Sequence, residues 1–447
     1  MSFFDVAILL FTLELIFNRY VSEKVFLYSL YLAVITAIAQ IFTVGYKWQY
    51  MPIYFLICLY AVKYTFNFSF SNKLLKITSG LIIGFTFIVS FLVIYFLPIP
   101  EFSIENKKYS VGYEEIYINI ETRPQPLAFV EISNLSENTN RELLVDIYYP
   151  SNDKTEPNQL FRNVSTNWGE TVINYLNRTW NINLPSYIFN HLNLSYLDVG
   201  VGLDPINGEL PVVIYTHGWS GEKIFATDQL INIASQGYIV IAIDHTGLAM
   251  FTELPSGTIF NTGSTEASTK VFDVMKEMSL DIQNTLNHVE NLKYKINFDD
   301  VSIIGHSTGG GSAYLYCQSN KCSTLILQDP FFVPIIEVLN NIELNSKTYF
   351  IYSQDWYVGN DEENSISEIE VYRNFTKNKE FAEGYYMTDS AHYDFVAFGT
   401  ISQLTKYTFL KGTIDYKDSL QTNNYFNITA LRNEIVVEND FLKLIEE

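Results

Sequence analysis

Ser307 lies in Gly305-His306-Ser307-Thr308-Gly309, directly after the mostly apolar residues 301–304. A G-x-S-x-G turn from strand to helix lifts a serine hydroxyl to where a neighbouring base can take its proton. Alone the pattern is weak, because a chain of 447 residues shows it by chance roughly one time in seven. The partners it requires are more restrictive. In an α/β-hydrolase the chain order is serine, acid, histidine. Of the six histidines only His392 follows Ser307, in Ser390-Ala391-His392-Tyr393-Asp394-Phe395. His392 is therefore the predicted base. Two acids compete to orient it: Asp329, after residues 324–328, and Asp355, after residues 348–353. Either would hold the imidazole in its working tautomer, and either would also serve as an ordinary turn aspartate. Asp394 is set aside as too close to His392 in sequence.

A developing oxyanion needs backbone N–H donors. Thr308, the residue after the serine, supplies one. Trp219, in His217-Gly218-Trp219-Ser220-Gly221, is the natural second. Gly218 permits close backbone approach, and Gly309 and Gly310 let the new helix pack on its strand. Other chemistries fit poorly. Gly309-Gly310-Gly311 lacks the lysine of a P-loop and the spacing of G-x-G-x-x-G, and no H-E-x-x-H is present. His217, His245 and His306 read as structural or pocket-lining groups, not as a zinc cluster. No cofactor and no metal is expected.

These residues need a scaffold that gathers them. Short β-rich runs recur at 143–149, 212–215, 238–243, 301–304, 324–327 and 348–352, with helical patterns between several of them, such as 228–235 and 269–292. Alternating strands and helices predict an α/β fold, a mostly parallel sheet flanked by helices. Ligands in such sheets bind at the carboxyl ends of the strands. Thr216-His217-Gly218-Trp219, Asp244-His245, Gly305-His306-Ser307 and Gln328-Asp329 all fall there.

The front of the chain has a different character. Its first hundred residues hold six Lys/Arg and three acids, the remainder 22 and 46. An acidic back domain repels phosphate backbones, which excludes nucleic acid as a natural partner. Four apolar runs, 3–17, 25–44, 51–66 and 77–97, predict an all-α transmembrane segment of about four helices over residues 1–100, ahead of a catalytic domain over 101–447. The second and fourth runs meet the ~20 residues a span needs; the first and third are short. Tyr46, Trp48 and Tyr50 suggest an interfacial aromatic belt. Arg19, Lys24, Lys63, Lys73 and Lys76 place the first and third loops in the cytoplasm and the acidic domain outside it, although Lys107 and Lys108 count against this. Glu14, inside the first run, is expected to pair with a neighbouring helix or to lie at the interface. Gly80-x-x-x-Gly84 is expected to pack within the helical unit. Asp5 near the N-terminus argues against a cleaved signal peptide. Cys58 is expected to pack in its apolar run. Cys317 and Cys322 are read as two buried thiols, with a disulfide as the alternative in an oxidising compartment.

Several ordered motifs strengthen the reading. They are Arg141-Glu142-Leu143 leading to Ile147-Tyr148-Tyr149-Pro150, Tyr215-Thr216-His217-Gly218-Trp219, Ala234-Ser235-Gln236-Gly237-Tyr238-Ile239-Val240 with Asp244-His245, and Gly305-His306-Ser307-Thr308-Gly309-Gly310. Leu327-Gln328-Asp329-Pro330-Phe331-Phe332, the His392 segment and Leu410-Lys411-Gly412 follow. Across residues 111–430 the chain resembles the plasma-type platelet-activating-factor acetylhydrolase family of α/β-hydrolases, including bacterial relatives, some with N-terminal membrane spans. The resemblance implies carboxylic ester hydrolysis through an acyl-enzyme, often of short or oxidised acyl chains on phospholipids. It favours Asp329, since the family places its acid just after the strand that follows the nucleophile helix. The extra Gln328 shifts that match by one residue and keeps Asp355 open. Residues 160–192 would form a cap, touch lipid or simply pack on the surface. Two other readings remain: a membrane lipid sensor whose hydrolase domain does not turn over, and acyl transfer to an acceptor other than water.

Overall fold

The structure, a computed structural model, describes residues 3–18, 20–68, 71–102, 104, 106–154, 158–159, 168–181, 183–263, 270–290, 292, 294–339, 344, 346–358, 368–376, 382–397, 405, 407, 412–437 and 440–445. Arg19, residues 160–167 and Leu410-Lys411 lie outside the described residues.

The four apolar runs fold as helices α1 (Phe3–Ile16), α2 (Glu23–Thr43), α3 (Met51–Thr65) and α4 (Lys73–Phe96). Ser22 Oγ accepts from the Val25 N–H and Asn72 Oδ1 from the Leu74 N–H, each satisfying an orphan donor at a helix start. Among the described residues α2 and α4 are long and apolar enough to cross a membrane. The 14 residues of α1 reach only about 21 Å at ~1.5 Å per residue. The bundle is apolar outward: Leu74, Leu81, Ile82 and Phe85 are exposed on α4, and its buried residues are Ser90 and Ile94. Polar groups pair inside. Lys47 Nζ lies 2.8 Å from the buried Asp5 carboxylate, which also accepts from Gln40. Glu14 accepts from Ser29 of α2, the helix-to-helix pairing expected of it.

Three expectations are corrected here. Gly80 and Gly84 pack against nothing, since a Cβ at either would meet no atom within 4 Å. The face their small side chains could open to a neighbour is turned away from the other three helices. Trp48 Nε1–H donates to Ile188 O at 3.1 Å and its ring meets Tyr187 at 5.5 Å, which joins the bundle to the second part of the chain. Cys317 and Cys322 form a disulfide. They sit at the two ends of a tight helix-to-strand connection, which brings their sulfurs together. Cys58, expected to pack in its apolar run, is instead exposed on the bundle's outside.

The rest of the chain builds a ten-stranded sheet. Its strands are β1 (Ser110–Pro124), β2 (Asn140–Ser151), β3 (Gly200–Val201), β4 (Leu210–Thr216), β5 (Ile239–Asp244), β6 (Ile296–His306), β7 (Thr324–Gln328), β8 (Lys347–Ser353), β9 (Ala382–Met387) and β10 (Leu442–Leu444), in the order β10-β9-β8-β7-β6-β4-β5-β2-β1-β3. The six from β9 to β5 are mutually parallel, and β2 runs antiparallel to β5. Alternation along each strand builds a core on either face. Val213, Tyr215, Val240 and Ile304 face one way, and Val212, Ile214, Ile239 and Ile303 the other. Burial on both faces explains the continuous Val/Ile runs. Helices α5 (Trp168–Trp180), α6 (Thr227–Ser235), α7 (Val271–Val289), α8 (Thr308–Ser319), α9 (Glu368–Thr376) and α10 (Tyr416–Leu431) accompany the sheet. The parallel arrangement puts the ends of β4 to β9 on one edge.

Candidate active site

Ser307 stands between β6 and α8 with φ 56° and ψ −122°, a conformation a serine holds only where its surroundings impose it. The surroundings are glycines. A Cβ at Gly305 would come within 2.5 Å of Gly309 O, and one at Gly309 within 2.2 Å of Thr216 O. The chain can therefore turn from strand to helix directly against the end of β4. Backbone bonds fix the turn: Ser307 N–H donates to Gln328 O at 2.9 Å, and the Gly310 and Phe331 N–H groups donate to Ser307 O at 2.9 and 3.0 Å.

His392 begins a short turn after β9. Its Nδ1 lies 3.0 Å from Asp329 Oδ2. Asp329, fully buried at the end of β7, also accepts the Ser353 N–H and hydroxyl, both at 2.6 Å. With its carboxylate fixed by Ser353, Asp329 receives the Nδ1–H, leaving Nε2 of His392 as the acceptor. Asp355 is exposed, and its backbone N–H donates to Ser390 O at 3.2 Å. Of the two acids considered, the structure brings Asp329 to His392. Asp394 Oδ2 accepts the N–H groups of Ala391 and Gly412 and so shapes the histidine's loop.

Two rings flank His392, of which Trp356 escaped sequence reasoning. Trp356 stacks on His392 at 4.3 Å and 16°, and His306 lies on it at 4.6 Å and 30°. Desolvation lowers the His392 pKa to about 4, so the ring is neutral at pH 7 and able to accept a proton. His306 is lowered to about 3 by burial first and His392 second. Burial pushes Asp329 up to about 7, against the Ser353 donors that hold its charged form. Among the described residues no hydrogen bond joins Ser307 Oγ to His392. Such contacts commonly tighten only when substrate arrives.

The expected oxyanion donors are both available. Thr308 is the first residue of α8, so its N–H has no partner within the helix. Among the described residues neither it nor the Trp219 N–H donates to a protein acceptor. The loop carrying Trp219 runs beside the serine: a Cβ at Gly218 would lie 2.8 Å from Ser307 Cβ. His217 and His245 meet edge to face at 5.2 Å behind this loop. No group of His, Cys, Asp and Glu placed to hold a metal is found among the described residues.

Residues 108–253 match the family described as platelet-activating factor acetylhydrolase, isoform II, and residues 201–331 match the chlorophyllase family. The platelet-activating factor acetylhydrolase of Cavia porcellus is 23% identical over 345 residues, 69% of this chain and 76% of its own. The solved ferulic acid esterase of Streptomyces cinnamoneus superposes with a TM-score of 0.60 at 18% identity, over 78% of this chain and 100% of that one. At that identity the likeness is one of fold.

Proposed function

We propose that this chain, which belongs to the platelet-activating-factor acetylhydrolase-like family of α/β-hydrolases, is a membrane-anchored serine hydrolase of carboxylic esters. Ser307 attacks the acyl carbonyl while His392 Nε2 takes its proton. Asp329 orients His392 and stabilises the imidazolium. The N–H groups of Thr308 and Trp219 receive the oxyanion. His392 then returns the proton to the leaving alcohol, and water releases the acyl group by the same steps. The observation that carries this reading is the bond between His392 and the buried Asp329, together with a serine held at φ 56° at the end of the adjoining strand. The kinship with an acetylhydrolase favours phospholipid-like esters with short or oxidised acyl chains.

On this reading residues 1–100 form the anchor and 101–447 the catalytic domain. Helices α2 and α4 cross the bilayer with α1 and α3 beside them. The start of α1, the α2–α3 turn and the end of α4 lie together, since Lys47 pairs with Asp5 and Gln49 Nε2 donates to Leu97 O at 3.1 Å. The opposite end carries Lys24, Lys63, Lys73 and Lys76 and is assigned to the cytoplasm. Of Lys107 and Lys108, which count against this orientation, Lys107 pairs with Asp198 of the catalytic domain at 2.9 Å. The Cys317–Cys322 disulfide suits a domain in an oxidising compartment.

The test is fluorophosphonate labelling of the detergent-solubilised chain with the adduct mapped by mass spectrometry. A stoichiometric adduct on Ser307 that is lost in His392→Ala is expected. Folded protein that takes no label would refute an activated serine.

A further inference from the structure

We propose that His217 is a positioning residue that holds the Gly218–Trp219 peptide in the one orientation that aims the Trp219 N–H at the oxyanion. The proposal rests on the serine-hydrolase reading above and adds a role to a histidine outside the triad.

The Gly218 carbonyl and the Trp219 N–H are two ends of one planar peptide unit, so fixing the first fixes the direction of the second. That unit follows a glycine, whose backbone rotates with little steric restraint. Two donors hold it. His217 Nδ1 lies 2.7 Å from Gly218 O, and the Gly221 N–H donates to the same oxygen at 3.0 Å. The ring's tautomer is imposed from behind. The backbone N–H of His245 donates to His217 Nε2 at 3.1 Å, so Nε2 is the acceptor and Nδ1 carries the hydrogen that reaches Gly218 O. Burial lowers the His217 pKa to about 4, which keeps this neutral form across the working range.

His245 is itself fixed. Its Nδ1 lies 2.9 Å from Asp281 Oδ2 and its Nε2 2.8 Å from Thr216 Oγ1. Arg141 grips Asp281 through two bonds of 3.0 and 2.6 Å, and Arg123 adds a third at 2.7 Å. Burial alone would raise the Asp281 carboxyl, but Arg141 and the bonds from His245 hold it well below the usual carboxylate range. The loop is clasped further by Ser220 N–H to Leu248 O at 3.1 Å and Met250 N–H to Gly221 O at 3.0 Å. The oxyanion peptide therefore rests on a buried ionic footing through His217. His217 touches no reacting atom.

Asparagine and glutamine separate the ring's two functions. The side-chain amide of Asn occupies the place of Nδ1 and can still donate to Gly218 O. That of Gln reaches the place of Nε2, and its oxygen can accept from His245 but leaves Gly218 O without its donor. Both remove the ring, so a merely structural role would weaken them alike. With the full-length solubilised chain and p-nitrophenyl acetate, His217→Gln is expected to lose about 10²-fold in kcat with KM within about twofold, while His217→Asn stays within about fivefold of wild type. Inhibition by a trifluoromethyl ketone, whose tetrahedral adduct carries the oxyanion, should weaken in proportion to kcat. A second variant avoids the buried ring altogether. A Cβ at Gly221 would sit 3.0 Å from Gly218 O, so Gly221→Ala should push the peptide aside and lower kcat about tenfold. Equal losses in the Gln and Asn variants, or wild-type kcat in both the Gln variant and Gly221→Ala, would overturn the proposal. A wild-type chain that neither turns over nor labels would instead overturn the hydrolase reading.

Discussion

Helix α4 turns Leu74, Leu81, Ile82 and Phe85 outward and buries Ser90, whereas strand β5 buries every residue of Ile239–Asp244. The bundle hides a Lys47–Asp5 pair and shows its aliphatic side chains. The sheet domain buries its aliphatic side chains on both faces, together with paired polar groups such as Arg141 with Asp281 and Lys223 with Asp146. In the sheet domain apolar surface leaves water for a protein core, whereas on α2 and α4 it faces outward on helices long enough to cross a membrane. The anchor's polar pairs should then govern how the chain sits, and the strand-end pairs how it reacts.

The largest break of that comparison is Ser307→Ala. Turnover should fall by at least about 10⁴-fold, while the protein remains in the membrane fraction after a carbonate wash. Residual turnover near wild type would remove Ser307 from the chemistry. Almost as large, Asp329→Asn should cost about 10³- to 10⁴-fold in kcat, and Asp355→Asn no more than about threefold. The reverse ranking would move the acid to Asp355.

That second test marks where sequence legibility ended. The strand ends, the glycines of the turn and the single histidine after Ser307 are local or ordered signals, and the parallel sheet follows from them. The choice between Asp329 and Asp355 is not local. It depends on Ser353, from the neighbouring strand, donating twice to Asp329. Trp356 and His306 stack on His392 from different elements, and no spacing rule announces that. Strand β1 escaped although alternation is visible in Ile116-Tyr117-Ile118-Asn119-Ile120, because Glu114 and Glu115 break the pattern ahead of it. Gly80 and Gly84 show the converse, a motif whose expected partner helix lies elsewhere.

The bundle supplies a smaller and complementary effect. Lys47→Met leaves Asp5 buried without its counter-ion, a loss of about 3–5 kcal/mol. The unfolding midpoint in detergent, followed by tryptophan fluorescence, should fall, and adding Asp5→Asn should recover most of the loss. Turnover of p-nitrophenyl acetate at a temperature below that midpoint should stay at the wild-type rate. A drop in kcat without a drop in stability would mean that the anchor takes part in the chemistry.

The finest test is the acid limb of kcat/KM. His392 must be neutral to accept the serine proton, and desolvation lowers it to about 4. Asp329 must stay charged, and burial pushes it up to about 7. A proton entering this pair binds with an apparent pKa that belongs to both groups, and because either site can take it the limb's midpoint should lie at the higher of the two values, about 7. Below it the rate should decline about tenfold per pH unit. Ser353→Ala removes the hydroxyl that donates to Asp329 at 2.6 Å. The carboxylate then loses support for its charged form, protons bind it more readily, and the limb should move to higher pH by about one unit. Lys47→Met, in the other region, should leave the limb where it is. A limb that ignores Ser353→Ala would show that Asp329 is not part of the titrating pair. A limb that moves with Lys47→Met would show that the two regions share one electrostatic environment despite burying opposite kinds of surface.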